Sequence, residues 1–301
     1  MTFFIVTPTF NSLAWLPQCV RSVAAQAGGG VSVQHHVQDG GSNDGTRAWL
    51  EEWAAAHPPT ESYRFTFVSE PDAGMYDAIN RAWARTPDAA DWVAHLNSDE
   101  QYLPGALAAI DNAATQKPGA DVYLAQYVIL DKDGRYIAHR LPVLPRAWSS
   151  WFNCACITNA SFHRAARFRE HGIRFDTRWK SIGDLVFFRD LVRAGLRFRL
   201  VNAVTSAFIC TGDNLAWSEA SWKEGERYAE TIPGWARRLN PLIYRWVNFK
   251  RLLRGLYTPL TRSYSLFRSC SPSPAAIPIH RPTVRWKFRT VSSEPPLPAD
   301  D

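Results

Sequence analysis

Two apolar spacings take turns along the first 115 positions of this 301-residue chain. Short continuous runs at residues 3–6, 31–37, 65–68 and 92–96 have the length and β-branched or aromatic content of buried strands. Between them, residues 12–26, 46–56, 75–85 and 104–114 repeat apolar positions every three or four residues, which predicts helices. The alternation implies β-α-β crossovers, and so an α/β fold with a mostly parallel central sheet flanked by helices. At Asp121 the pattern changes. The stretch DVYLAQYVILDKDGRYIAHR predicts two strands joined by a hairpin at Lys132, Asp133 and Gly134. Helical spacing returns over residues 160–170 and 183–194 and again after Trp235.

Composition places the charge. The net charge is +6, but residues 235–301 hold twelve of the 34 Lys and Arg and only three of the 28 acids, so this end carries +9 and residues 1–234 carry −3. Hydrophobic residues make up 46% of the chain, enough for a full core. Five cysteines without a C-x-x-C pair fit neither a zinc site nor a disulfide framework, so a reducing, cytoplasmic setting is expected. No apolar run approaches the roughly 18 residues needed to span a bilayer, and the opening MTFFIVTPTF lacks the features of a signal peptide.

Ligands of open α/β sheets collect at the carboxyl ends of the strands. Four such ends are rich in small, hydroxylated or acidic residues: TPTFN, QDGGSNDGT, SEPDAGMYDAIN and LNSDE. Each has two readings. QDGGSNDGT is a turn feeding a helix capped by Ser42, Asn43 or Asp44, or a tip where Asp39 accepts from a nucleobase N–H while Gly40 and Gly41 let a flat ring approach. In LNSDE, Asp99 is a helix-capping residue or a hard oxygen ligand for Mg²⁺ or Mn²⁺; Asn97 reaches the same side, and Glu100 faces away as a structural residue. Asp184, at the start of an amphipathic run, reads locally as a helix cap.

In order and spacing, these motifs resemble the family 2 glycosyltransferases of the GT-A fold over residues 3–215. The resemblance implies an inverting transfer of sugar from a nucleotide-sugar donor, with UDP favoured, to a hydroxyl of a glycan or lipid-linked acceptor. It also implies a divalent cation, Mn²⁺ or Mg²⁺. Carried over by position, Thr7, Pro8, Thr9 and Asn11 line the nucleotide, Asp39 with Gly40 and Gly41 receives the base, and Asp72, Gly74 and Asn80 lie beside the nucleoside. Asn97 and Ser98 flank the metal ligand Asp99. IGDLVFFRDLVRAG resembles the family's later motif and makes Asp184 the catalytic base. Where many relatives have His-Gln, this chain has Thr158 and Asn159, and His163 is read as a surface or packing residue.

The chain divides on this reading into a catalytic domain at residues 1–234, a basic helical extension at 235–269 and a Pro/Ser-rich tail at 270–301 expected to lack fixed structure. In the extension, Leu242, Trp246, Phe249, Leu253 and Leu256 share one helical face with Arg251 and Arg254 opposite, although Arg245 intrudes. That helix either packs on the catalytic domain or lies on the inner face of an anionic membrane, where each base contributes about 1 kcal/mol. Nucleic acid is not expected, since no reading module appears. Two rival readings are a non-catalytic surface or nucleotide-sugar binder and a sugar-nucleotide pyrophosphorylase. The second wants a Gly-rich basic loop after the first strand, which TPTFNSLAW lacks.

Overall fold

The computed structural model describes residues 1–151, 157–212, 219–253, 263–268 and 273–279. Its first part follows the predicted alternation: β1 (Thr2–Thr9), α1 (Leu16–Ala24), β2 (Ser32–Asp39), α2 (Thr46–Ala56), β3 (Tyr63–Ser69), α3 (Met75–Trp83) and β4 (Trp92–His95). There follow β5 (Gln101–Tyr102), α4 (Ala106–Gln116), β6 (Val122–Asp131), β7 (Tyr136–Arg140), β8 (Ser161–Arg164), α5 (Ala165–Glu170), α6 (Gly183–Arg193) and β9 (Phe198–Cys210). The last elements are α7 (Glu219–Glu230), α8 (Gly234–Leu253), β10 (Ser263–Leu266) and β11 (Ala275–Pro278).

Nine strands form one sheet in the order β3-β2-β1-β4-β8-β6-β9-β5, with β7 beside β6. The first four strands are parallel, as expected. Beyond them the sheet is mixed: β8 runs antiparallel to both β4 and β6, β6 is parallel to β9, and β5 is antiparallel to β9. The change follows from the connections. Parallel neighbours need a long crossover, whereas β6 turns straight into β7 through residues 132–135, which forces an antiparallel pair.

Two expectations are corrected and one strand is added. Residues 160–170 are not one helix: residues 161–164 form β8, wedged between two strands with Ser161, Phe162 and His163 buried, and only Ala165–Glu170 is helical. The 13-residue β9, which no periodic signal marked, lies along β6. Within the tail expected to lack fixed structure, residues 275–278 form β11, which pairs with β10, and Tyr264 and Ile277 join an apolar cluster with Val128 and Tyr136. Residues 280–301, Cys154, Cys156 and Cys270 lie outside the described residues.

The core sits between sheet and helices. On β1, Phe3 and Ile5 are fully buried, as are Leu16, Cys19 and Val23 of α1 and Ile79 of α3. A column of stacked rings, Trp83 on Phe175 at 5.3 Å and Phe175 on Phe187 at 4.4 Å, fastens α3 to α6. His163 belongs to this column, buried against Phe168 and Phe187, so it packs and does not reach the surface. Burial, with the neighbouring His95 adding to it, holds its pKa down to about 3. Among the described residues no helix is long and apolar enough to cross a membrane.

Trp92, on the seam between the two halves of the sheet, is fully buried, meets Tyr123 edge-on at 5.1 Å and lies under the Arg164 guanidinium. Trp92→Ala is expected to cost about 3 to 5 kcal/mol, read as a lower urea midpoint with an unchanged slope.

Candidate active site

The register of the parallel strands brings the predicted tips together. Thr9 pairs with Asp39, and β4 lies on the other side of β1 with Val6 opposite His95, so LNSDE emerges beside Pro8 and Thr9. Three polar atoms at these tips are buried without a hydrogen-bond partner, Thr9 Oγ1, Gln38 Oε1 and Asn97 Oδ1. Buried polar groups are nearly always satisfied, so orphan acceptors at a sheet edge mark a place for a bound group. Thr7 does not join them. It projects on the same face one layer deeper, fully buried under α1, where Oγ1 lies 2.9 Å from His35 Nε2 and 3.8 Å from Cys19 Sγ. Its hydroxyl is thus engaged within the core.

The tip loops are braced against one another. Asp39 is completely buried and accepts from Ser42 Oγ at 2.5 Å, Ser42 N–H at 3.1 Å and Ser69 Oγ at 2.6 Å. Asn11, at φ 48°, donates its N–H to Ser42 Oγ and accepts from Asn43 N–H, so it ties two loops. Asp44 accepts from the Thr46 N–H and hydroxyl and from Leu13 N–H, which braces the start of α2, while the cap position itself is Gly45 and none of Ser42, Asn43 and Asp44 occupies it. Gly40 admits Asp72: a Cβ there would lie 2.9 Å from Asp72 Oδ2 and 3.3 Å from the Phe10 ring. Gly41 and Gly74, at φ 85° and 112°, hold conformations that side chains resist, and Asp72 accepts from Gly74 N–H at 2.7 Å. Asn80 faces elsewhere. Its amide donates to Phe175 O and accepts from Phe175 N–H, both at 2.9 Å, clamping α3 to the segment before α6.

The acidic groups meet on the other side of the β4 tip. Asp99 is half-buried, and Ser98 and Glu100 are buried. Burial pushes the Asp99 carboxyl up to about 6. Glu100 is driven well above the ordinary range by burial and by the charge of Asp99. Glu100 turns inward, where Oε2 accepts from Asn97 N–H and Oε1 from Asn159 Nδ2, both at 2.9 Å. Asp184 stands close enough to raise Glu100 further. At the second position of α6, its Oδ1 accepts from Tyr76 Oη at 3.1 Å and its Oδ2 lies 3.5 Å from Thr158 Oγ1. Burial lifts Asp184 to about 6 against the pull of those two hydroxyls.

Tyr76 carries no sequence signal of its own, and Thr158 and Asn159 stand out in the sequence only as a departure from the family pattern, yet all three join this ring. Asn159 is fully buried, accepts from Ser206 Oγ at 3.1 Å and joins β9 to Glu100. Tyr76 reaches Asp184 only because residue 183 is glycine, since a Cβ there would run into the tyrosine ring. The departure from His-Gln at Thr158 and Asn159 is thus part of the acidic centre. A contiguous rim results: Asp39 and Thr9, then Asp72, then Tyr76 on α3, Asp184 on α6, and Thr158 and Asn159 returning to Glu100 and Asp99.

Among the described residues no three His, Cys, Asp or Glu side chains form a ready cage for a metal. The donors present do fit a hard divalent cation that takes part of its shell from a ligand, namely the Asp99 carboxylate with the orphan Asn97 Oδ1 nearby. Loss of the Asn80 clamp should act on folding. Asn80→Ala is expected to lower stability by about 2 kcal/mol through its two hydrogen bonds, measured by thermal denaturation, with a change in the near-ultraviolet signal of the Trp83 and Phe175 stack.

Comparisons with known proteins identify the fold and the family. Of solved structures, S. aureus TarS 1-349 in complex with UDP-GlcNAc superposes with a TM-score of 0.55 at 17% identity, covering 72% of this chain and 61% of that one. The mannosyltransferase PcManGT from Pyrobaculum calidifontis, in complex with GDP-Man and Mn²⁺, gives 0.58 at 16% identity, covering 86% and 76%. At such identities the likeness shows the fold, which is GT-A. A glycosyltransferase of Mycobacterium tuberculosis is 37% identical over 94 residues, 31% of this chain and 33% of the relative. A PGL/p-HBAD biosynthesis glycosyltransferase of Mycobacterium bovis is 33% identical over 98 residues, 33% and 35%. The chain thus spans about a third of the length of the curated relatives it matches. The sequence model of glycosyl transferase family 2 matches residues 4–204, and with two thirds of its length so matched, the chain belongs to that family of glycosyltransferases.

Proposed function

We propose that the protein is an inverting, cation-assisted glycosyltransferase that moves a sugar from a nucleotide-sugar donor to a hydroxyl of a glycan or lipid-linked acceptor. The observation that carries this reading is the approach of Asp99, Glu100 and Asp184 at one end of a rim whose other end holds Asp39, Thr9 and Asp72. A UDP-sugar is favoured as donor, in keeping with the UDP-GlcNAc seen with TarS, although PcManGT was solved with GDP-Man.

The nucleoside belongs at the Asp39 end, with Thr9 Oγ1 and Asp72 beside it, and the diphosphate at Asn97 and Asp99. Two neighbouring carboxylates would repel a diphosphate, so Asp99 serves here as the ligand of Mn²⁺ or Mg²⁺. When bound, the cation supplies Lewis-acid neutralisation of the negative charge on the leaving diphosphate. Asp184 acts as general base. The acceptor oxygen bonds to the anomeric carbon while the bond from that carbon to the phosphate oxygen breaks, and the acceptor proton passes to an Asp184 carboxylate oxygen. Attack from the face opposite the leaving group inverts the configuration. A pKa near 6 makes Asp184 a stronger base than an ordinary carboxylate yet leaves it mostly ionised at neutral pH. The Tyr76 hydroxyl orients it.

Asp184→Asn should reduce transfer by at least about a thousandfold while donor with Mn²⁺ still raises the melting temperature; a variant with full transfer would exclude Asp184 as the base. Asp99→Ala should lose the Mn²⁺-dependent part of that thermal shift. Because the base must be ionised, kcat/KM is expected to hold above the Asp184 pKa and to fall as pH drops through about 6. Removing the Tyr76 hydroxyl takes away a bond that favours the carboxylate, so in Tyr76→Phe the acid limb should move to higher pH.

A further inference from the structure

Helix α8 shows the solvent a face that a folded domain rarely leaves uncovered. Its inner side is anchored: Ala236 and the preceding Ile232 lie in an apolar cluster with Val186, Trp179 and Tyr228, and Ile243 and Val247 pack with Val143. Turned away from these at 100° per residue are Trp235, Leu239, Leu242, Trp246, Phe249 and Leu253, which fall within an arc of about 80° along about 27 Å of helix. All six are between 43% and 69% exposed. The apolar face expected from the sequence therefore runs further toward the amino end, through Trp235 and Leu239, and it is not the face that packs; Leu256 lies outside the described residues.

The surroundings of the stripe select its partner. Arg238 and Arg245 border one side and are exposed, and Lys250 borders the other, its Nζ 5.0 Å from the Trp246 ring centroid. Helix α8 contains no acid, and from Thr231 to the chain end only Glu294, Asp300 and Asp301 are acidic. A narrow stripe of Trp, Phe and Leu flanked by cations on both sides matches the boundary of an anionic bilayer, where the rings and leucines enter the acyl margin and the bases meet the headgroup phosphates. We infer that α8 docks the protein on an anionic phospholipid surface through Trp235, Leu239, Leu242, Trp246, Phe249 and Leu253. Val186, packed with Ala236, is two residues past Asp184, so docking holds the base-bearing helix α6 near the surface. Given the proposed transfer reaction, on which this clause alone rests, a lipid-linked acceptor meets the base from that side.

The test uses the full chain and vesicles without donor, so it is independent of the transfer reaction. Sedimentation with phosphatidylcholine vesicles doped with phosphatidylglycerol should carry the protein down, and pure phosphatidylcholine should do so at least about tenfold less well, with high salt narrowing the difference. Leu242→Glu with Trp246→Glu should abolish sedimentation while leaving the melting temperature and far-ultraviolet spectrum unchanged, since both side chains are exposed. Arg238→Glu with Arg245→Glu should weaken anionic binding at least about tenfold and remove its salt dependence. Failure of the wild-type chain to bind anionic vesicles, equal binding by the Leu242→Glu/Trp246→Glu variant, or a wild-type dimer in light scattering that this variant turns into monomer would each overturn the inference.

Discussion

Three carboxylates with nearly the same reason to repel one another are held at the end of one short strand. Asp99 and Glu100 adjoin in sequence, and Asp184 arrives from 84 positions further on. Burial alone would drive all three to the neutral form. Donors aimed at specific oxygens oppose that: Asn97 N–H and Asn159 on Glu100, and the hydroxyls of Tyr76 and Thr158 on Asp184. The donors come from three places, the β4 tip, α3 and the turn before β8, and Asp184 itself from α6, so the centre exists only when all four are in place. Parallel strands set the first of these positions, and the stacked rings of Trp83, Phe175 and Phe187 fix the distance from α3 to α6.

Electrostatic need also explains why Asp99 and Glu100 are not equivalent. Glu100 has both oxygens engaged by the protein and is sealed from solvent, so its longer side chain serves as an internal brace. Asp99 keeps partial access to solvent, which suits the cation-holding role proposed for it.

What could be read in the sequence was whatever depended on local pattern. The strand-helix alternation through residue 116, the hairpin at Lys132 and the four tips follow from apolar spacing and from glycines and acids at strand ends, and the structure brings those tips to one edge. Contacts across long separations were not legible. Tyr76 looks like one more apolar position of α3 until α6 is laid against it, and Gly183 looks like a helix start until the ring beside it is seen. Thr7 and Thr9 are indistinguishable in TPTFN; only the placement of α1 over Thr7 separates them. β8 was hidden because its apolar positions run on into α5 without a break, and the outer face of α8 could be listed but not told from its packing face.

Gln101, next to Glu100, has a consequence for how far the polypeptide can be shortened. Its buried side-chain amide donates to Phe267 O at 3.0 Å and accepts from Phe267 N–H at 2.8 Å, in the manner of one more rung of sheet. The segment beyond α8, although outside the region matched to the family, thus props the floor of the acidic centre from below. A trimmed version ending at α8 would strand that amide in an apolar setting next to Glu100, and the folded unit therefore runs at least through Phe267, just past β10.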